Sequence, residues 1–130
     1  MTFAPLQRGT LLIDYMGGPH LNVLLHKAQR DELWLLAPIS SVKPNHYLDA
    51  SCILEKGEHS FLIQQSYVAY IKMLEIRTTH IARMVAGNFY VPKEQFQPSV
   101  FARIVNGIFE SEDVSFRRAA ELRRTGLSPI

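Results

Sequence analysis

Hydrophobic positions divide the chain into a β-like first part, which ends near residue 77, and a helical second part. In the first part, short apolar runs are separated by turn-forming residues such as the Gly-Gly-Pro sequence at 17–19, and this alternation predicts strands. The run from Leu33 to Ala37 is apolar throughout, which predicts a central strand covered on both faces. We predict five or six strands, at residues 9–15, 21–26, 33–37, 52–54, 60–64 and 67–76.

The second part begins with a short helix pattern. Ile81 and Val85 lie one helical turn apart, and this spacing predicts a short amphipathic helix. The hydroxyl of Thr78 or Thr79 would cap its N-terminus, and Gly87 would end it in the left-handed conformation.

A longer helix is predicted towards the end of the chain. Residues 89–91 precede it as a short edge strand, because Pro92 cannot donate to a central ladder. Proline suits the first helical position, so the helix is predicted to run from Pro98 to about Glu110. Gly107 costs this helix about 1 kcal/mol relative to alanine, so packing must hold it. Its apolar stripe consists of Val100, Phe101, Ile104, Val105 and Ile108.

Residues 111–130 form a charged C-terminal segment. Its middle, from Val114 to Thr125, is compatible with a helix but has few apolar positions. Arg117 and Arg124 are two helical turns apart and would share a face. The segment is either a solvated helix or an arm that presents cations to phosphate or to an acidic protein. We therefore divide the chain into one domain at 1–110 and a charged C-terminal helix or tail at 111–130.

Composition limits the class of protein. The chain has 130 residues, of which 47% are hydrophobic and 20% are charged, as is typical of one globular domain. No apolar run approaches the roughly 18 residues that cross a bilayer, and residues 1–7 lack the features of a signal peptide. We expect a cytoplasmic protein without a membrane span.

Charge and cysteine content narrow the chemistry. The formal net charge of +2 permits nucleic-acid binding but is weaker than that of typical duplex DNA-binding proteins. The single cysteine, Cys52, cannot form an internal disulfide or a thiolate zinc site. No pair of histidines has a metal-ligand spacing, so we expect no metal and no cofactor.

Three motifs, taken in order, resemble those of a known family. Arg8-Gly9 precedes the first hydrophobic strand, the Gly-rich loop at 17–19 and His20 precede the second, and Ile39-Ser40-Ser41 ends the third. This order is similar to that of the PemK/MazF-like toxins. A later strand, a short helix and a terminal helix extend the resemblance over about residues 8–110.

The resemblance implies a mainly β fold with appended helices (α+β). The expected architecture is a small, bent, SH3-like β-barrel of five to six antiparallel strands with two to three C-terminal helices. It also implies a homodimer that cleaves single-stranded RNA as a ribosome-independent endoribonuclease and is neutralised by an antitoxin protein. The family's basic residue falls on His20, where arginine is usual, and its hydroxyl residue falls on Ser40, with Ser41 adjacent.

The candidate catalytic residues follow from the chemistry of RNA cleavage without a metal. Such cleavage needs a base for the 2′-hydroxyl proton, an acid for the leaving oxygen and donors for the phosphorane charge. Because histidine exchanges protons near pH 7, His20 could be the base or the acid. Ser40 or Ser41 would hydrogen-bond the phosphate. Lys43 or Arg8 would stabilise the developing charge.

Tyr67 and Tyr70 are the candidate base-stacking residues. Three positions apart in one strand, they would point to opposite faces of the sheet. One would therefore belong to the core, and the exposed one could stack an RNA base.

Two other functions are left open by the sequence. The loss of arginine at His20 favours a non-catalytic module that binds a protein, or a toxin of the same fold that acts on a protein target such as a topoisomerase. A nuclease predicts that His20 and Ser40 or Ser41 converge on one basic groove, whereas a binding module predicts an exposed apolar patch. The third function is a nucleic-acid-binding barrel without chemistry, which would use the arginines at 117, 118, 123 and 124.

Overall fold

The computed structural model describes residues 2–15, 17–28 and 32–130, which form one bent antiparallel sheet with three α-helices. The strands are β1 (Thr10–Tyr15), β2 (Gly18–Ala28), β3 (Leu33–Ser41), β4 (Ile53–Leu54), β5 (Ser66–Val68), β6 (Leu74–Arg77) and β7 (Tyr90–Lys93). The helices are α1 (Thr78–Ala86), α2 (Pro98–Glu110) and α3 (Phe116–Arg124), and a 3₁₀ turn spans Tyr70–Lys72. The strand order is β4-β5-β3-β2-β1-β7, with β6 also paired to β3.

Strand β3 is the centre of the sheet, as its apolar sequence predicts. Side chains alternate between the two faces of a strand, and β3 supplies both hydrophobic clusters of the core. Leu35, Ala37 and Ile39 belong to the larger cluster, which α2 covers. Trp34 and Leu36 belong to the smaller cluster on the opposite face, with Ile81 of α1. Both faces of the strand are therefore buried.

A bulge at Leu25 bends β2. Leu24 pairs with Leu36 and His26 pairs with Leu35, so Leu25 is an additional residue on this strand. The fully buried Leu24 and Leu25 belong to different core clusters. Because a bulge increases the bend and twist of a strand, an 11-residue strand can serve both parts of the sheet.

Strand β2 begins within the Gly-Gly-Pro sequence, three residues before the predicted start at residue 21. Gly18 pairs with Tyr15, and Pro19 pairs with Asp14. Gly17 and Gly18 have φ of +101° and +113°. Glycine adopts this region without strain, so a tight turn fits between the paired residues Tyr15 and Gly18. His20 is therefore an interior residue of β2. Positions 16 and 29–31 lie outside the described residues.

The strand predicted at 67–76 is interrupted, and Pro38 explains where. In a strand, the N–H and C=O of one residue point to the same side. The Pro38 carbonyl accepts the N–H of Ala69 at 2.9 Å, so the missing proline N–H faces the same neighbour. Beside this missing donor the chain leaves β5, passes through the 3₁₀ turn Tyr70–Lys72 and pairs with β3 again as β6.

The strand predicted at 60–64 is a compact loop, because His59 is anchored in the core. Its Nδ1 accepts the backbone N–H of Phe61 at 3.1 Å, which leaves Nε2 to donate to the Glu94 carbonyl at 3.0 Å. The ring also packs against Phe96, with 5.0 Å between ring centroids. These contacts hold the loop against the segment between β7 and α2, and pairing with β4 resumes only at β5.

Both ends of α1 differ from the expectation. The hydroxyl of Thr78 donates to Glu32 rather than capping the helix. Gly87 has a φ of −88°, and the left-handed residue is Asn88, with a φ of +62°. The N–H of Asn88 donates to Val85 and that of Phe89 donates to Met84. These two bonds form a Schellman motif, in which asparagine takes the position that glycine usually holds.

Substitution of Asn88 by alanine should lower the free energy of unfolding by about 1 kcal/mol, because the left-handed conformation crowds the alanine Cβ. Asn88→Gly is the matched control and should be at least as stable as the native chain. Urea unfolding of the three proteins provides the measurement. Equal stability of the Ala and Gly variants would show that φ at residue 88 carries no cost.

Helices α2 and α3 follow the expected pattern. Helix α2 has the predicted ends, Pro98 and Glu110. Helix α3 begins after Ser115, whose hydroxyl accepts the backbone N–H of Arg118 at 3.0 Å. Leu122 and Leu127, both from the segment 111–130, are buried in the larger core cluster. The charged C-terminal segment is therefore packed along one side against the rest of the fold.

Candidate functional site

A groove opens where β2 and β3 separate. Their ladder ends at the pair Asn22–Pro38, and the following residues of β3 pair with β5 instead. Continuing the same register would place His20 opposite Ser40, so these two side chains flank the opening. The turn into β2 and the end of β3 thus form two walls of one depression.

The groove has a volume of about 840 Å³. The loop after β3, the loop between β4 and β5, and the 3₁₀ turn complete its walls. Its lining residues are Gly17, Pro19, His20, Leu21, Ile39, Ser40, Ser41, Lys43, His46, Tyr47, residues 60–64, Ser66, Tyr67 and Lys72.

The charged groups of the groove are basic. Lys43 and Lys72 line it together with His20 and His46, and no aspartate or glutamate is among the described lining residues. A cleft lined by one sign of charge concentrates ligands of the opposite sign. The groove is therefore suited to an anion.

Three predicted catalytic residues, His20, Ser40 and Ser41, all line this groove. Ser40 pairs with Tyr67, and Ser41 pairs with Ser66. Both serines are only partly buried, so their hydroxyl groups lie at the end of a rigid strand beside open space. The three residues that the sequence motifs selected therefore lie in one groove.

The loop 42–51 contributes a second histidine to the groove. The His46 Nδ1 lies 2.9 Å from the Pro44 carbonyl, and because a carbonyl only accepts, Nδ1 carries the proton in this bond. In the neutral ring Nε2 then has a free lone pair. Such a backbone contact fixes the tautomer of many functional histidines.

Tyr47 forms a wall that is tied to the C-terminal segment. Its hydroxyl donates to the carboxylate of Asp113, and this hydrogen bond raises the pKa of Tyr47 to about 12. The side chain is 60% exposed. The phenol therefore stays protonated. Its ring is held in the groove as an exposed aromatic surface.

The two predicted stacking tyrosines have different locations. Tyr67 lines the groove but is 9% exposed, so little of its ring is accessible. Tyr70 is 2% exposed, and its hydroxyl donates to the Ile104 carbonyl at 2.6 Å. Burial raises the pKa of this phenol. Tyr70 belongs to the core because the chain forms a 3₁₀ turn there, and we remove it from the candidate RNA-binding residues.

Arg8 does not line the groove, in contrast to Lys43. Its guanidinium donates to the Phe96 carbonyl at 2.9 Å, and its backbone adopts a φ of +73°. Arg8 thus ties the N-terminal segment to the chain before α2. Lys72, from the 3₁₀ turn, occupies the groove as the second lysine.

The groove residues that were not selected from the sequence include His46, Tyr47, Phe61 and Lys72. The polar composition of the loop 40–51 is a signal for the first two. Phe61 and Lys72 were assigned to strands that the structure replaces with a loop and a 3₁₀ turn, so no sequence signal placed them here.

An acidic depression of about 380 Å³ lies behind Tyr47 and is lined by Asp49, Glu110, Glu112 and Asp113. The Asp49 carboxylate already accepts two hydrogen bonds, from the Ser51 N–H at 2.9 Å and from the Ser111 hydroxyl at 2.5 Å. In the described part of the chain, no group of three or more His, Cys, Asp or Glu side chains is arranged to hold a metal. Burial raises the pKa of the Cys52 thiol to about 11, which disfavours a reactive thiolate.

None of the helices in the described ranges has the length and apolar character that crossing a membrane requires.

Comparison with known proteins identifies a related fold. No family model matches the chain, and no curated protein matches it in sequence. Among solved structures, it is similar to a chain of the crystal structure of MazE-MazF (Form-II) from Deinococcus radiodurans. The TM-score is 0.53 at 12% sequence identity, over 97% of this chain and 99% of that chain. The mainly β fold with C-terminal helices, expected from the resemblance, is therefore confirmed as MazF-like.

Proposed function

We propose that this protein is the toxin-like component of a toxin-antitoxin pair and cleaves single-stranded RNA as a metal-independent endoribonuclease. One observation carries the proposal: His20, Ser40, Ser41 and Lys43 converge on a single basic groove. Phosphodiesters are anions, and a groove without lining carboxylates favours them. The MazF-like fold supports the same assignment.

The two groove histidines supply the acid and the base. One imidazole removes the proton of the 2′-hydroxyl as its oxygen attacks the phosphorus. The other donates a proton to the 5′-oxygen as the P–O bond breaks. The products are a 2′,3′-cyclic phosphate and a free 5′-hydroxyl, so no metal or water is consumed. The Nε2 of His46 has the free lone pair that a base requires, and His20, which lines the same groove, would be the acid.

The remaining groove residues bind and orient the RNA. Ser40 and Ser41 donate hydrogen bonds to the non-bridging phosphate oxygens, and Lys43 and Lys72 stabilise the charge that develops on the phosphorane. Tyr47 offers the exposed aromatic surface on which a base stacks. Arginine at the position of His20 would stabilise charge but could not exchange a proton near pH 7, so this chain would use a different acid from its relatives.

The test is incubation of the purified protein with a long single-stranded RNA in excess EDTA. His20→Ala and His46→Ala should each lower the cleavage rate by about 100-fold or more, the usual contribution of a general acid or base. His80→Ala is the control, because His80 lies on α1, outside the groove. It should cleave at the native rate.

Intact RNA at high protein concentration would overturn the nuclease assignment. Cleavage at the native rate in both groove-histidine variants would overturn the assignment of His20 and His46 as acid and base. Ser40→Ala distinguishes phosphate binding from proton transfer, because it should weaken transition-state stabilisation without a change in the pH profile.

The partners follow from the same proposal. An antitoxin protein would neutralise the toxin by covering the groove, and the toxin would act as a homodimer in the cytoplasm, where its RNA substrate is found. The name of the similar structure, a MazE-MazF complex, supports a protein partner.

A second function, a non-catalytic protein-binding module, is favoured by the apolar rim of the groove. Ile63 is 77% exposed and Phe61 is 37% exposed there. Large exposed apolar side chains beside a groove are typical of protein contacts. Tight binding of a protein partner by a chain that leaves RNA intact would select this alternative.

A further inference from the structure

The structure separates the four arginines of α3 into two kinds. Arg118 is engaged: its guanidinium lies 3.1 Å from Glu75 and 3.6 Å from Glu121. Arg123 lies over the ring of Phe109, 4.7 Å from its centroid. Within the described ranges, no hydrogen bond or ion pair engages the side chains of Arg117 and Arg124.

Arg117 and Arg124 form one outward row. Seven residues are nearly two helical turns, so the two side chains are about 20° apart around the helix and about 10 Å apart along it. Ala119 and Leu122 form the buried side of the same helix, and the row lies opposite to them. Both arginines are exposed and point into solvent.

Phe116 lies at the first position of the helix, beside Arg117, and is 97% exposed. A single exposed aromatic side chain is common on protein surfaces, so the informative feature is its position beside the two arginines. An exposed ring next to unpaired guanidinium groups has the chemistry that binds single-stranded nucleic acid: phosphates contact the cations, and bases stack on the ring.

We propose that the outer surface of α3 formed by Phe116, Arg117 and Arg124, called the α3 face, is a second contact surface for single-stranded RNA. Charge complementarity favours this occupant, because a polyanion neutralises unpaired cations at regular spacing. Arginine in place of lysine favours phosphate, since its planar fork donates two parallel hydrogen bonds.

The α3 face is remote from the groove. Helix α3 packs beside His26 and Leu33, and the groove lies beside His20 and Ser40, at the other ends of β2 and β3. Six residues of extended strand separate His20 from His26, which corresponds to at most about 20 Å. A chain of several nucleotides can span this distance, whereas a very short one cannot. The α3 face would therefore lengthen the RNA-binding site beyond the groove.

The test is the salt dependence of binding to an oligoribonucleotide of about 20 nucleotides, measured by fluorescence anisotropy. Each phosphate contact on a single strand contributes about 0.7 to the slope of log K against log salt. Arg117→Gln/Arg124→Gln should make the slope shallower by about 1.4. The loss of affinity between about 50 and 200 mM salt should therefore be about sevenfold smaller. Glutamine removes the charge and keeps the helix propensity.

Two controls isolate the α3 face. Lys56→Gln/Arg83→Gln removes the same formal charge from exposed positions on the β4–β5 loop and α1, and it should leave the slope unchanged. Phe116→Ala should weaken binding by at least about fivefold without a change in slope, because stacking releases no counterions.

The outcomes separate this inference from the function proposed for the groove. A native slope in the Arg117/Arg124 variant overturns the α3 face, as does an equal loss in the Lys56/Arg83 variant. With an oligonucleotide of about three nucleotides, only the groove variant Lys43→Gln/Lys72→Gln should lose affinity. If that groove variant binds every RNA normally while the α3 variant does not, the groove assignment fails and the α3 face stands.

Discussion

Gly107→Ala should destabilise the protein by about 2 to 3 kcal/mol, although alanine is the better helix former by about 1 kcal/mol. A Cβ at position 107 would lie 2.2 Å from the Tyr70 hydroxyl oxygen and 2.9 Å from its Cζ. Tyr70 cannot move away, because its ring is buried and its hydroxyl is bonded to the Ile104 carbonyl on the same helix. The close approach of the 3₁₀ turn to α2 therefore requires glycine. Urea unfolding measures the change.

Tyr70→Phe provides a direct test of that cause. Alone, it should cost about 1 kcal/mol, the usual contribution of the lost hydrogen bond. Combined with Gly107→Ala, it removes the atom closest to the new Cβ, so the double variant should be more stable than the sum of the two changes predicts. Additive effects, or a Gly107→Ala protein as stable as the native one, would refute the contact as the reason for glycine.

Asp49→Ala should lower the free energy of unfolding by about 3 kcal/mol, because it removes two hydrogen bonds to a charged group. The Asp49 carboxylate joins the loop 42–51 to the C-terminal end of α2 through Ser111, whose hydroxyl would be left buried without its acceptor. Tyr47 and Asp113 make a second link between the same two segments. The groove wall should therefore become less ordered, which hydrogen exchange of residues 43–50 would detect.

The Asp49 contribution should also depend on pH. Burial tends to raise the pKa of this carboxyl, but hydrogen bonds from Ser111 and Ser51 outweigh it and hold the pKa below its usual value. A pKa lowered by folding gives stability that is complete above the unfolded value, about 3.9, and is lost as the pH falls through the folded value. Native protein should therefore lose more stability than Asp49→Asn between pH 6 and about pH 3.

Glu112→Gln is the matched control for this comparison, because Glu112 is exposed and directly follows Ser111. It should retain the native acid dependence. An Asp49→Asn protein whose stability falls with acid as steeply as the native one would show that Asp49 is not the responsible group.

Local signals were sufficient to locate the three helices and to fix both ends of α2. The ends of α2 follow from Pro98 and from an apolar stripe of period 3.6, and both are properties of adjacent residues. The left-handed stop of α1 was misplaced by one residue, because Asn88 can adopt the conformation predicted for Gly87. The need for Gly107 could be anticipated, but its neighbour Tyr70 could not, because 37 positions separate the two residues in the sequence.

The strands were less predictable than the helices, because each strand also depends on a partner from a distant segment. The apolar run of β3 indicated a central strand, and it is one. The interruption opposite Pro38 and the compact loop around His59 depend on which segments become neighbours, and hydrophobic periodicity does not specify strand partners. Tyr67 and Tyr70 were therefore expected on opposite faces of one strand, with one of them exposed, whereas both are buried.

The sequence by itself determined the fold class, the first three strands, the three helices and three candidate residues, His20, Ser40 and Ser41, since these depend on local pattern and motif order. Only the tertiary structure decided that these three share a groove with His46 and Lys72, that Arg8 and Tyr70 lie elsewhere, and that Arg118 and Arg123 of α3 have partners among the described residues. The physical reason is that a side chain's orientation within its own element follows from periodicity, whereas its neighbours from distant segments follow from strand register and packing.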